Sequence, residues 1–168
     1  MLINPLGVKN ESYKKIRRKD REIKTDDAVS LLTNCIYGVL STIGNDGQPY
    51  GVPLSYIYKD NTIYFHSALT GHKIENIVNN PRVSFCAVGH TNVLPSKFGT
   101  EYESVVVFGV ASEVQGTERY NALLWLLEKY SPEFIKEGRS YIEQKDSATK
   151  VIKITIEQIS GKRAQAKS

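Results

Sequence analysis

Nine residues, Phe65-His66-Ser67-Ala68-Leu69-Thr70-Gly71-His72-Lys73, carry the plainest chemical signal in the chain. A β-type run from Thr62 to Phe65 gives way to a polar, glycine-containing loop, and a helix then opens with His72 and Lys73 in its first turn. Free N–H groups at a helix start bear partial positive charge, and Ser67, His72 and Lys73 can add side-chain donors. Strand, small-residue loop, basic pair and helix together suit a phosphate group. A polar loop ahead of a helix is common, however, so the neighbouring residues must decide.

The other reactive side chains are few. His66 at the strand end is a catalytic candidate, a proton donor or substrate contact, although a hydrogen-bonded structural histidine would look the same in sequence. His66, His72, His90 and Cys86 could be imagined around a metal, but they lack close paired ligand spacing, and no metal site is expected. Cys35 and Cys86 show no CxxC spacing and suggest no disulfide framework. Trp125 sits at core spacing on its helix. Tyr37, Tyr50, Tyr56, Tyr64 and Tyr102 could line a barrel rim, in strands that favour tyrosine anyway.

The elements that must position these residues follow from periodicity and punctuation. Thr25-Asp26-Asp27 offers hydroxyl and carboxylate caps for a helix reaching Asn34. A strand over 36–43 meets Gly44-Asn45-Asp46-Gly47, a strong hairpin signal, and a second strand runs from Pro49 to Tyr58. Lys59-Asp60-Asn61 turns into a third strand from Thr62 to His66. The helix after the cradle spans 71–80 and stops before Pro81. A fourth strand, Arg82 to Val88, leads into an excursion loop over 89–101, and a long apolar fifth strand covers 104–115. Thr117 caps a helix to Tyr130, Ser131-Pro132 breaks it, and a short helix ends at Gly138. The last strand, Val151 to Ile159, alternates Lys153, Thr155 and Glu157 against Ile152, Ile154 and Ile156.

Composition narrows the classes. The chain has 168 residues, 40% hydrophobic and 24% charged, as one soluble domain would have. No apolar run approaches the roughly 18 residues needed to span a bilayer. Met1 to Asn10 lacks the make-up of a secretory signal, so the cytoplasm is the expected compartment and no membrane partner is expected. Much of the +4 net charge sits in Lys14-Lys15-Ile16-Arg17-Arg18-Lys19-Asp20-Arg21. Without interleaved aromatics this run reads as a solvated or interface segment and not as a nucleic-acid surface. The expected organisation is a basic N-terminal extension (1–24), one domain (25–162) and a short tail (163–168). Six strands in hairpin-like succession with interspersed helices predict a mainly β, α+β fold. The strands form an antiparallel barrel with flanking helices and a cradle at one rim.

Against that frame several motifs match a known family. They are Arg17-Arg18-Lys19-Asp20-Arg21-Glu22-Ile23, Tyr37-Gly38-Val39-Leu40-Ser41-Thr42, and Asp46-Gly47-Gln48-Pro49-Tyr50-Gly51-Val52-Pro53-Leu54. After these come Thr62 through Ala68, Gly71-His72-Lys73-Ile74-Glu75-Asn76-Ile77, Asn80-Pro81-Arg82-Val83, and Tyr102-Glu103-Ser104-Val105 with Gly109. In this order and spacing the chain resembles the flavin-binding split-barrel superfamily, which includes the pyridoxamine 5′-phosphate oxidases, and within it the 5-nitroimidazole-resistance (Nim) branch.

The resemblance implies a six-stranded antiparallel split barrel and a homodimer with flavin, FMN or alternatively FAD, at the interface. It implies an oxidoreductase acting on a small organic acceptor, possibly a nitroaromatic, or else a non-catalytic flavin or haem binding and storage protein. Val52, Pro53, Leu54 and Ser55 would lie along the flavin ring. His66, Ser67, His72 and Lys73 would hold the ribityl chain and phosphate, and Ser104 would approach across the dimer interface. Pro53 could equally mark an edge strand, and Ser104 an ordinary strand position. Two departures stand out. The oxidase pattern has a basic residue where Val52 sits and an Arg-Lys pair where His72-Lys73 sits. The oxidases' C-terminal substrate-phosphate residues have no match here, so pyridoxamine phosphate is not the expected substrate.

Overall fold

A computed structural model of the chain describes residues 13–165. The readings of Met1–Asn10 and of the tail's last three residues lie outside them. The Gly44–Gly47 hairpin joins β1 (Tyr37–Ile43) to β2 (Pro49–Ser55) in unbroken antiparallel register. Gly47 supplies the positive φ of +80° that the turn requires, and the Asp46 carboxylate accepts the Gln48 N–H at 3.0 Å.

The sequence predicts one strand from Pro49 to Tyr58; the structure has two. The break is Tyr56, whose fully buried side chain turns into the core and packs edge-on against Phe85 at 4.7 Å. The chain resumes as β3 (Ile57–Lys59) and returns as β4 (Thr62–Ser67) through Asp60 and Asn61, both at positive φ, a two-residue hairpin. With β5 (Arg82–Leu94), β6 (Gly99–Val114) and β7 (Lys150–Ala164) the described residues hold seven strands, not six.

All pair antiparallel in the order β2-β1-β5-β6-β7-β4-β3. β2 and β3 stand at opposite ends of that order, yet one residue, Tyr56, joins them. The sheet's two edges must therefore meet, so the sheet rolls into a barrel split along one seam. Leu40, Ile63, Phe65, Phe85, Val105, Val107 and Ile154 fill it, each without exposure.

Helices close the ends. α1 (Thr25–Asn34) buries Ala28 and Leu32, and the Tyr56 hydroxyl donates to the Leu32 carbonyl. Lys24 holds its cap position without a side-chain hydrogen bond, so the expected Thr25-Asp26-Asp27 cap is instead the first helical turn, where the two carboxylates face the helix dipole. α2 (His72–Asn79) ties down onto β1 through the buried bond from Asn76 to the Thr42 hydroxyl, 2.9 Å. α3 (Gly116–Tyr130) starts one residue before Thr117. At its end, Lys129 donates to the carbonyls of Cys35 and Tyr56 (2.8 and 3.1 Å). The Tyr130 hydroxyl accepts the Tyr56 N–H at 2.9 Å and lies within hydrogen-bond range of the Ile36 and Tyr56 carbonyls. These two side chains clamp the seam.

Three further expectations change. The excursion over 89–101 is a β-ribbon, because β5 and β6 keep pairing out to Leu94↔Gly99 around a short 3-10 turn. Gly138 does not end a helix: a 3-10 turn at Pro132–Phe134 runs into α4 (Ile135–Gln144). A Cβ at Gly138 would fall 2.2 Å from Leu127 Cδ1, so this glycine serves the close packing of α4 on α3. Finally, β7 continues past Ile159 through a bulge. Phe108 pairs with Gln158 and Gly109 with Ile156, leaving Glu157 as the extra residue. The alternation flips there: Ile152, Ile154 and Ile156 face the core before it, Ile159 and Gly161 after it. No described helix is long and apolar enough to cross a membrane.

Candidate functional site

The end of β4 and the start of α2 form the cradle. Gly71 occupies the helix cap at φ +128°, a conformation closed to most side chains, and no side chain caps the helix. Intrahelical bonds to the Gly71 carbonyl begin with the N–H groups of Ile74 and Glu75, which leaves those of His72 and Lys73 to an outside acceptor. The Lys73 ammonium has no ion-pair partner among the described residues. His72 stacks its ring on Tyr50 of β2, centroids 4.1 Å apart, so α2 bridges the seam from β4 to β2.

Ser67 is the most telling member. It is only 6% exposed, and its hydroxyl finds no hydrogen-bond partner. A buried hydroxyl left unpaired costs about 1–3 kcal/mol, so the site is built to receive one more polar atom. Uncapped N–H groups, an ammonium, an imidazole and an orphaned hydroxyl together suit an oxyanion such as a phosphate.

Ser67 and His66 also line a cavity of about 580 Å³ under α3 and α4, with Leu126, Leu127 and Ile142 as apolar walls and Ser55 and Tyr130 at the seam. His66 is exposed at this cavity, yet the protein around its ring, and then the Lys73 ammonium, hold its pKa below the ordinary value. The imidazole is thereby kept neutral near pH 7.

The structure brings Ser55, His66 and Ser67 together on this cavity and sets His72 and Lys73 beside them at the head of α2. On β2, Val52 and Leu54 pack against the core while Pro53 and Ser55 are exposed, so the strand offers an outside ligand its backbone and these two side chains. Ser104 lies elsewhere in the chain, on β6, in a separate cavity with Lys14, Lys15, Arg17 and Lys162. Among the described residues no group of three or more His, Cys, Asp or Glu side chains could hold a metal. Tyr50 and Asn76, which brace α2, carry no chemical signal of their own in the sequence; only the fold reveals their part.

The family model for pyridoxamine 5′-phosphate oxidase matches residues 24–163. The chain belongs to this family. No curated protein matches it by sequence. Among solved structures, a candidate 5-nitroimidazole antibiotic resistance protein from Bacteroides thetaiotaomicron superposes with a TM-score of 0.71 at 23% identity, over 86% of this chain and 90% of that one. An FAD-binding protein from Mesorhizobium loti is 28% identical, with a TM-score of 0.61 over 86% and 98% of the two chains. An FAD and haem binding protein from Mycobacterium smegmatis shares the fold at 16% identity, with a TM-score of 0.75 over 87% and 74%. Membership in the oxidase family agrees with the antiparallel split barrel and its flanking helices.

Proposed function

We propose that this protein is a flavin-dependent oxidoreductase that binds FMN at the seam and reduces a small organic acceptor, nitroaromatics among them. The observation that carries the reading is the buried, unpartnered Ser67 hydroxyl, one loop away from an uncapped helix start that bears His72 and Lys73. When bound, the flavin supplies hydride or single-electron transfer. The chain's own groups do the rest. Ser67 donates to a ribityl or phosphate oxygen, and Lys73 and the first N–H groups of α2 neutralise the phosphate. The Val52–Ser55 backbone offers hydrogen bonds to the ring edge, less the donor that Pro53 lacks. His66, neutral and at the cavity mouth, hydrogen-bonds the acceptor, and Leu126, Leu127 and Ile142 keep water from it.

The active unit in this reading is a homodimer. Ser104 lies too far round the barrel to join its own cradle. The outward face of β1, β5 and β6, with Ile43, Val88 and Phe108 exposed, has the apolar character of a surface awaiting a second copy. The absorption spectrum of the purified protein, with mass spectrometry of the released ligand, tests the assignment. FMN bands that bleach anaerobically with NADH or NADPH support it, and FAD as the released ligand changes only the cofactor. A flavin that stays oxidised points to storage, a Soret band to haem, and no chromophore after FMN addition defeats the reading.

A further inference from the structure

The chain ahead of α1 is a strap fastened at both ends. At Tyr13 the ring stacks on Phe108 at 5.2 Å, while its hydroxyl donates to Glu157 and accepts from Arg82. At the other end Glu22 bridges to Lys162, and the Ile23 N–H donates to the Gly161 carbonyl at 3.1 Å. Between these anchors the basic residues divide into two sets. Arg18 is taken by Asp20, Lys19 by Glu22, and Arg21 by the Tyr102 ring and hydroxyl.

Lys14, Lys15 and Arg17 have no ion pair among the described residues. These three, with Lys162, surround a cavity of about 280 Å³ floored by Ser104 and Ser160. Among the described residues no carboxylate lines it. The bulge at Glu157 builds this place, since without the flip in alternation Ser160 and Lys162 would face the core.

We propose that this cavity is a second anion site, taking a phosphate-bearing ligand with two or more negative charges. Four cationic residues line one cavity, and a small polyanion would neutralise their charge while meeting the Ser104 hydroxyl on the floor. The concave shape and the lack of an aromatic platform favour a diphosphate over a nucleic-acid strand. The phosphates can come from the pyridine nucleotide that reduces the flavin or from the diphosphate of FAD. Apart from Ser104, which the flavin reading also uses, the site draws on no residue of the cradle.

The test is calorimetric titration of the full-length protein with pyrophosphate, comparing wild type, K14Q/K15Q/R17Q, the single K162Q, and a charge-matched control, K24Q/K97Q/K136Q. The strap variant is expected to bind at least about tenfold more weakly, K162Q to weaken in the same direction, and the control to stay within about twofold. In the same variant a raised KM for NADH or NADPH with unchanged flavin content assigns the phosphates to the electron donor. Selective loss of FAD over FMN assigns them to the cofactor. No pyrophosphate binding by wild type, equal losses in strap and control variants, or tighter binding of a single-stranded oligonucleotide would overturn the proposal. The same strap-dependent pyrophosphate binding is expected in a Lys73→Ala background, where the cradle has lost its cation, so the result is read apart from the fate of the cradle.

Discussion

At the scale of single residues, the site is governed by one charge, the Lys73 ammonium, and one missing partner, that of the Ser67 hydroxyl. Burial by the surrounding protein, and then the Lys73 ammonium, hold the His66 pKa below its ordinary value. The sign of the pH effect follows. A histidine whose folded-state pKa lies below its ordinary 6.5 binds fewer protons folded than unfolded, so stability is lost as pH falls through about 6.5 and is fully present above it. Lys73→Met removes the like charge, and the His66 titration followed by NMR should move upward; an unmoved titration would mean that the ammonium does not face the ring. His66→Asn should in turn flatten part of the acid-side loss of stability in denaturant melts. Ser67 is the complementary case, a buried donor with nothing to bond until a ligand arrives.

At the scale of elements, the seam depends on the end of α3. Where the expected second strand breaks, Tyr130 satisfies the Tyr56 N–H, and Lys129 bonds the Tyr56 carbonyl and that of Cys35 beside it. Tyr130→Phe leaves that buried N–H unpaired and should cost about 1–3 kcal/mol in urea unfolding with an unchanged slope. Gly138→Ala should also destabilise, because its Cβ meets Leu127, and Leu127→Ala in the same chain should recover part of that loss; thermal melts of the single and double variants check it.

These elements show what could be read from sequence. The hairpin at Gly44–Gly47, the strand end and helix start around 65–73 and the helix boundaries at Asn34 and Tyr130 were legible because each depends on local chemistry: turn residues, a glycine ahead of a helix and a Ser-Pro break. The break at Tyr56, the ribbon beyond Val88 and the bulge at Glu157 were not. The ribbon pairs across its own short turn, where Pro95 and Gly99 read in sequence as loop punctuation, whereas the break and the bulge are imposed by contacts far away in the chain, with Leu32 and Tyr130 and with Phe108 and Gly109. Gly138 misled for the same reason, its neighbour Leu127 lying on another helix.

At the scale of the whole molecule, a sheet whose edges meet at one residue leaves a cradle on the seam and an apolar outer face on β1, β5 and β6. The dimer reading predicts twice the chain mass in light scattering with about one flavin per chain; a flavin-loaded monomer would contradict it. The central claim, that the cradle holds a flavin's phosphate, is tested most directly by comparing FMN and riboflavin affinities in wild type and Lys73→Ala, read by flavin fluorescence. Removing the cradle's one permanent side-chain cation should weaken FMN binding by roughly tenfold to 150-fold, the equivalent of about 1.5–3 kcal/mol for a charge-assisted hydrogen bond. Riboflavin, which lacks the phosphate, should bind both proteins equally. Undiminished FMN affinity in the variant, or an equal loss for riboflavin, would contradict the account.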